Sequence, residues 1–326
     1  MELRLVDRLE VQVLVDNVTD QLSTNPGTVR SELACLLSAG MREWSGESIC
    51  CAHHGLSLIV TAHTNGASHT VLFDSGPEGY AVERNGRRLG VAFASIEGIV
   101  LSHGHWDHGG GLLTVLELIR KEKKDQDIPL YLHPGMFRSR GLRLPSGEIV
   151  PFKDIPSVEA LTEKGGSAIC TSELRFLLND HFYISGEIPR VTTYEQGFPN
   201  HMRKAKDGAT WEPDPLIIDE RFLAVRVKGK GLIIFTACSH AGVVNVLTHA
   251  QATFPTIPLY AVMGGLHLSG IGPEKIISET VRDLQSFGLK MIIPGHCTGW
   301  RAITALVNAF GEEVVLPSAV GKQYLF

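Results

Sequence analysis

Short apolar runs recur along the chain, each closed by glycine, proline or charge. Val11 to Val15 alternates and stops at Asp16-Asn17, and Leu56 to Thr61 follows His53-His54-Gly55. Thr70 to Phe73 stops at Asp74-Ser75-Gly76, and Gly98 to Leu101 runs into a histidine cluster. Phe222 to Val227, Gly231 to Thr236, Leu259 to Met263 and Lys290 to Ile293 repeat the form further along. Runs this short, rich in leucine or β-branched residues and bounded by turn residues, predict strands. Three stretches between them have helical spacing. Gly111 to Lys124 puts Leu112, Val115, Leu116 and Ile119 on one stripe and ends in positive charge, which suits a helix C-terminus. Pro273 to Phe287 opens with proline in its first turn and repeats Ile276, Ile277, Val281 and Leu284; Trp300 to Phe310 is the third. Strands alternating with helices predict an α/β fold.

The stretch from 134 to 215 differs. It is rich in Gly, Pro, Lys and Glu, and its periodicity is weak. Such a segment inside a compact enzyme reads as an insertion that covers substrate, so the expectation is one domain over 1–326 with that insert.

Composition narrows the function classes. The chain has 326 residues, 44% of them hydrophobic, enough for a large core. The net charge of -5 gives no electrostatic argument for nucleic acid. The N-terminus carries charges throughout and lacks an apolar signal region, and no stretch approaches the roughly 18 apolar residues of a membrane span. Six cysteines, at 35, 50, 51, 170, 238 and 297, form no CxxC pair, which fits a reducing compartment. A cytoplasmic protein without membrane or nucleic-acid partners is expected; the sequence leaves its oligomeric state open.

The chemistry concentrates in Ser102-His103-Gly104-His105-Trp106-Asp107-His108-Gly109-Gly110. Four metal-capable side chains fall within six residues, after a strand and before a helix. A strand-end turn lets alternate residues converge, so His103 and His105 can share one metal while Asp107 and His108 turn toward a second. Imidazole with carboxylate suits Zn, Fe, Mn or Ni rather than Mg or Ca. Three later strand ends also present a histidine after a break at small residues: Cys238-Ser239-His240, Gly264-Gly265-Leu266-His267 and Pro294-Gly295-His296. Sites in α/β sheets gather at such ends.

The HxHxDH segment at 103–108 resembles the signature of the metallo-β-lactamase superfamily. Asp74 is similar to that superfamily's early strand-end aspartate, and His296 to its last metal histidine. A narrower resemblance is to the branch of the dihydropterin ribofuranosyl-aminobenzene phosphate synthase-like proteins. Val15-Asp16-Asn17, His54-Gly55-Leu56-Ser57, Ser185 to Arg190, Cys238 to Gly242, Gly264 to His267 and His296 to Gly299 carry it in order along nearly the whole chain.

The resemblance implies an αβ/βα sandwich of two mixed sheets flanked by helices, with metals at one edge between the sheets. It implies two divalent transition metals, most simply Zn, about 3.5–4 Å apart, and a metal-activated hydroxide acting on an ester, lactone or phosphoester of a small molecule, phosphorylated ones included. His103, His105 and His240 would hold the first metal, and Asp107, His108 and His296 the second, with Asp107 also orienting the attacking group. His267 is a candidate for substrate contact, leaving-group protonation or ligation. Asp74 would steer an imidazole from behind. Glu187, Arg190 and Trp106 are candidates for substrate contact. One departure stands out: where many relatives carry Thr-Gly-Asp with a bridging aspartate, this chain has Thr236-Ala237-Cys238. Cys238 either ligates as a thiolate or packs behind the site. Two other functions stay open: the branch's name-giving transfer of a phosphoribosyl group to an aromatic amine, and a silent metal-binding sensor.

Overall fold

The structure, a computed structural model, describes residues 2–124 and 126–326. Two mixed sheets face each other. The first runs in the order Gly166–Cys170, Ile128–Leu132, Ile96–Val100, Ala67–Phe73, Ser57–Thr64, Arg8–Val15, Gln323–Leu325 and Val29–Arg30. The second runs Arg175–Leu177, Phe182–Ile184, Leu223–Val227, Gly231–Thr236, Leu259–Gly265 and Met291–Gly295, with Leu5–Val6 paired beside Leu223–Val227.

Alternation decides which side chains meet between the sheets. Leu9, Val11 and Val13 point inward from one strand, and Val60, Val71 and Phe73 join them from its neighbours. Leu223, Val225, Ile233, Phe235, Met263 and Ile293 close the same core from the second sheet. The opposite face of each sheet is also apolar and is covered by helices, as strands buried on both faces require. Gly79–Arg88 and Leu112–Arg120 cover the first sheet; Val243–Thr253, Ile277–Leu284 and Trp300–Phe310 cover the second. The result is the expected four-layer sandwich. No helix among the described residues is long and apolar enough to cross a membrane.

All eight predicted strands form, with ends shifted by a few residues. The helix Gly111 to Lys124 is shorter, Leu112–Arg120, and Pro273 to Phe287 is an α-helical centre, Ile277–Leu284, between two 3-10 turns. Gly79–Arg88 has no counterpart among the expected helices, because its buried stripe includes Asn85 and Gly86 and so carries little apolar signal. Val243–Thr253 begins with a β-branched run that reads as strand; Glu195, from a distant loop, satisfies its first turn by accepting from Val244 and Asn245 N–H at 2.9 Å each.

The segment 134–215 is divided among three places. Arg140–Arg143, Ile149–Pro151, His201–Lys204 and Trp211–Pro213 build a separate four-stranded sheet. Gly166–Cys170 extends the first large sheet, while Arg175–Leu177 and Phe182–Ile184 extend the second. Only the separate sheet stands outside the sandwich.

The parallel strands set up the site. Ala67–Phe73 and Ile96–Val100 run parallel in one sheet, and Gly231–Thr236, Leu259–Gly265 and Met291–Gly295 in the other. In the second sheet, Thr236 pairs with Gly264 and Gly265 with Gly295, so the three strands end level.

Candidate metal centre

The 103–108 loop leaves the first sheet at Val100 and enters a one-turn helix, Trp106–Gly109. Gly104 is required here: a Cβ would lie 2.4 Å from the Met136 carbonyl oxygen. His103, His105, Asp107 and His108 are all buried. His103 Nε2 lies 2.9 Å from His105 Nδ1, and the His103 ring sits 4.8 Å from that of His240. Asp107 Oδ2 faces three imidazole Nε2 atoms: His54 at 3.4 Å, His296 at 3.5 Å and His108 at 3.7 Å.

Asp74 organises this cluster from behind. It is fully buried in the left-handed region, φ 60°, at the end of its strand. Its Oδ1 accepts from Ser102 N–H (2.7 Å), and its Oδ2 from Ser102 Oγ–H and His108 Nδ1–H (2.7 Å each). The Ser102 hydroxyl, committed as donor to Asp74, accepts from His103 Nδ1–H at 2.9 Å. This network puts the ring protons of His103 and His108 on Nδ1, so both Nε2 lone pairs face inward.

The second sheet supplies the other wall. Cys238 Sγ lies 3.3 Å from His108 Nε2 and 3.5 Å from Cys297 Sγ. The His240 ring is 4.4 Å from His267. His296 donates from Nδ1 to Asn17 Oδ1 at 3.0 Å, and its Nε2 faces Asp107 Oδ2 at 3.5 Å. Ser239, His267 and His296 hold φ of 55°, 46° and 46°; with Asp74, four non-glycine residues of one site sit in a costly region. Gly264 allows the strands to close up there, since a Cβ would lie 1.6 Å from the Thr236 carbonyl oxygen.

The electrostatics suit cation binding. Burial, with neighbouring imidazoles adding to it, pushes His103, His105 and His240 well below the ordinary 6.5, so they are neutral ligands at neutral pH. Burial by itself would raise Asp107, but His108, His296 and His54 outweigh it and hold the carboxylate well below its usual range. Burial pushes the Cys238 thiol up, and Cys297 beside it adds to the effect. Both ring nitrogens of His240, Nδ1 of His267 and Nε2 of His296 are buried with no hydrogen-bond partner among the described residues. Imidazole nitrogens left unpaired in one buried cluster suit a bound cation. Among the described residues, five triads place their ligand atoms within 4.8 Å of one another, including His103/His105/His240, His103/His108/Cys238 and His54/Asp107/His296. These donor sets fit transition-metal ions.

The centre opens into a cavity of about 530 Å³ walled by Trp106, Phe152 and Phe198, with His54 and His267 on its rim. A smaller cavity of about 210 Å³ adjoins it across His240 and His267. The structure thus brings together His103, His105, Asp107, His108, His240, His296, Cys238, His267 and Trp106. It does not bring Glu187 or Arg190 to this cavity. Glu187 lines a separate cleft beside His249, 3.4 Å from His133, and Arg190 bonds the Leu216 carbonyl oxygen and faces Glu220 and Glu195. Glu187 is exposed, and Arg190 turns instead toward Glu220, which accepts from the His240 N–H. Four neighbours of the centre have no site role in the sequence reading, although three of them lie in segments that carry the family resemblance: Asn17, His54 and Cys297, with His201 the fourth. Asn17 and His54 sit beside turn residues, and that was the available signal; His201 carries none.

A two-sheet sandwich with imidazole-rich loops at one edge defines a class, the metallo-β-lactamase fold. A crystal structure of a metal-dependent hydrolase of the beta-lactamase superfamily shares it, with a TM-score of 0.69 at 21% identity over 97% of this chain and 98% of that one. Unliganded yeast PDE1 does too, at 0.56 and 13%, over 99% and 100%. Residues 69–149 match the Beta-lactamase superfamily domain family. The 7,8-dihydropterin-6-methyl-4-(beta-D-ribofuranosyl)-aminobenzene-5'-phosphate synthase of Methanocaldococcus jannaschii is 31% identical over 80% of this chain and 86% of its own length. An uncharacterized protein of the same organism is 29% identical over 78% and 88%. The chain belongs to the metallo-β-lactamase superfamily, in the same family as that synthase.

Proposed function

We propose that this chain is a metal-dependent hydrolase that cleaves an ester, lactone or phosphoester bond of a small molecule. His103, His105 and His240 would hold one divalent transition metal, and Asp107, His108 and His296 a second. The observation that carries the proposal is the buried triad of His103, His105 and His240, whose ligand atoms lie within 4.8 Å of one another. When bound, such ions supply Lewis acidity and lower the pKa of water toward about 7.

The chain's own residues do the rest. Asp107 Oδ2, between His54 and His296, would accept a hydrogen bond from the attacking water and orient it. His54 carries its proton on Nε2, because Asn17 Nδ2–H donates to its Nδ1 at 3.1 Å. That N–H would donate a hydrogen bond that orients a substrate oxygen, and the proton released by the attacking water goes to the departing atom. His267, beside His240 on the far wall, contacts the substrate. Trp106, Phe152 and Phe198 exclude water. Cys238 lies between the two ligand sets, where a thiolate would replace the bridging carboxylate of many relatives.

Metal analysis of the purified chain is expected to give close to two transition-metal ions; a fully folded, metal-free protein that takes up none on addition overturns the proposal. The 31% identity to a synthase favours a second reading, transfer of a phosphoribosyl group to an aromatic amine. Loss of the leaving group from an activated phosphoribosyl donor only when the amine is present supports the second reading; amine-independent hydrolysis supports the first.

Loading is expected to depend on pH. Burial lowers His296, but Cys297 and Asp107 outweigh it and raise the ring to about 9. Below that value a metal must displace a proton from Nε2, so affinity at the second position rises with pH up to about 9, and loading near neutrality releases a proton. In the metal-free fold the same charge stabilises; that contribution is full below 6.5 and is lost as pH rises through about 9. Calorimetry of Zn(II) binding in buffers of different ionisation enthalpy measures the proton count; a pH-independent affinity contradicts it.

A further inference from the structure

His201 lies on the separate four-stranded sheet, 96 positions from His105, and is fully buried. Its Nε2 sits 2.9 Å from His105 Nε2, and its Nδ1 sits 2.9 Å from the Asp214 carbonyl oxygen. A carbonyl oxygen only accepts, so the His201 proton is on Nδ1 and its Nε2 is a lone pair. Facing that lone pair, His105 must donate from Nε2. Its own lone pair is then on Nδ1, which points at His103 Nε2, 2.9 Å away. His103 Nε2 is also a lone pair, because the His103 proton goes from Nδ1 to Ser102. Two lone pairs therefore face each other at hydrogen-bond distance, an arrangement that only a cation between them relieves.

We propose that His201 is a positioning residue, which locks His105 in the form that ligates through Nδ1. The inference rests on the reading of the centre as a metal site, and it gives the separate sheet a task there. Without an acceptor at 201, His105 is free to move its proton to Nδ1 and donate it to His103 Nε2. That hydrogen bond between the two ligands closes the first position. The Phe152 and Phe198 rings, each 6.0 Å from the His201 ring, pack against it and hold it in place.

His201→Phe keeps a ring of similar shape and removes the acceptor; His201→Gln offers an oxygen in its place. Zn(II) affinity is read by competition with a chelating dye, and the first-position environment by the visible spectrum of the Co(II)-loaded chain. In His201→Phe, one of two metals is expected to bind about 10–100-fold more weakly, with the Co(II) bands altered, while the second metal and the melting of the metal-free protein stay unchanged. His201→Gln is expected to restore most of that affinity. Wild-type affinity for both metals in His201→Phe overturns the inference, and so does a Gln variant as weak as Phe, which would make the role one of packing. Should the Phe variant not fold, His201→Leu carries the same comparison. A wild-type chain that takes up no metal overturns the metal reading itself, a failure visible before any variant is made.

Discussion

Asp107→Asn is expected to lose turnover by about a thousand-fold or more while the chain stays folded. The substitution keeps the shape and removes one negative charge. That charge is the only carboxylate in the second ligand set, and its Oδ2 lies within 3.7 Å of His54, His108 and His296 Nε2. With asparagine there, the three imidazoles face a neutral amide, and a divalent ion at this position loses its one anionic ligand. A bound metal contributes several kcal/mol to the stabilisation of developing charge, which corresponds to a factor on the order of 10³ in rate. The fold is retained because asparagine keeps the size of the side chain and leaves the Asp107 carbonyl oxygen accepting from Leu56 N–H at 3.3 Å. The measurements are kcat on a phosphodiester or lactone that the wild type cleaves, and metal content per chain. A variant that turns over at near the wild-type rate shows that Asp107 has neither role.

The part of the centre that the sequence revealed is the part made by neighbours in sequence. His103, His105, Asp107 and His108 share one turn, so spacing alone brings them together. His240, His267 and His296 could be proposed because each follows an apolar run that ends in small residues, and parallel strands of one sheet end at one edge. What stayed hidden depends on register between elements far apart. Asn17 reaches both His54 and His296, 37 and 279 positions away, because the first sheet's strand Arg8–Val15 ends level with the second sheet's Met291–Gly295. Nothing in the local pattern around 201 announces contact with His105. Glu187 and Arg190 lie outside the cavity for the complementary reason: which way a Gly-Pro-rich stretch turns depends on distant partners, here Glu220 and the Leu216 carbonyl oxygen beside Arg190.

The strain at this edge also bears on function. Asp74, Ser239, His267 and His296 all hold positive φ, each at a cost of order 1–3 kcal/mol that the strands beneath must offset. Each is the residue at, or within three positions of, the end of a buried strand: Phe73, Thr236, Gly265 and Gly295. The kink turns a side chain that would otherwise point along the sheet back over its edge. The fold therefore spends stability at the site, and the apolar core between the sheets is what permits it.

Asp74→Ala follows from the same reasoning and is expected to be the most destabilising single change at the centre. The carboxylate accepts three hydrogen bonds at 2.7 Å, from Ser102 N–H, Ser102 Oγ–H and His108 Nδ1–H, all fully buried. Alanine leaves those donors without an acceptor, at about 1–3 kcal/mol each, so a loss of several kcal/mol is expected in denaturant unfolding of the metal-free chain. The lost order also spreads to both ligand sets. The Ser102 hydroxyl is freed to donate to His103 Nδ1 in place of accepting from it, which moves the His103 proton onto Nε2, the ligand atom. His108 loses the partner that fixes its ring. Both metals are therefore expected to weaken, each by about 10–100-fold, where His201→Phe weakens one. Asp74→Asn separates the effects: with its oxygen in the place of Oδ2 it keeps the Ser102 Oγ–H and His108 Nδ1–H bonds and loses only the one from Ser102 N–H, so metal affinity recovers while part of the stability stays lost. An alanine variant as stable as the wild type, or one that holds both metals undiminished, rules out Asp74 as the support of this site.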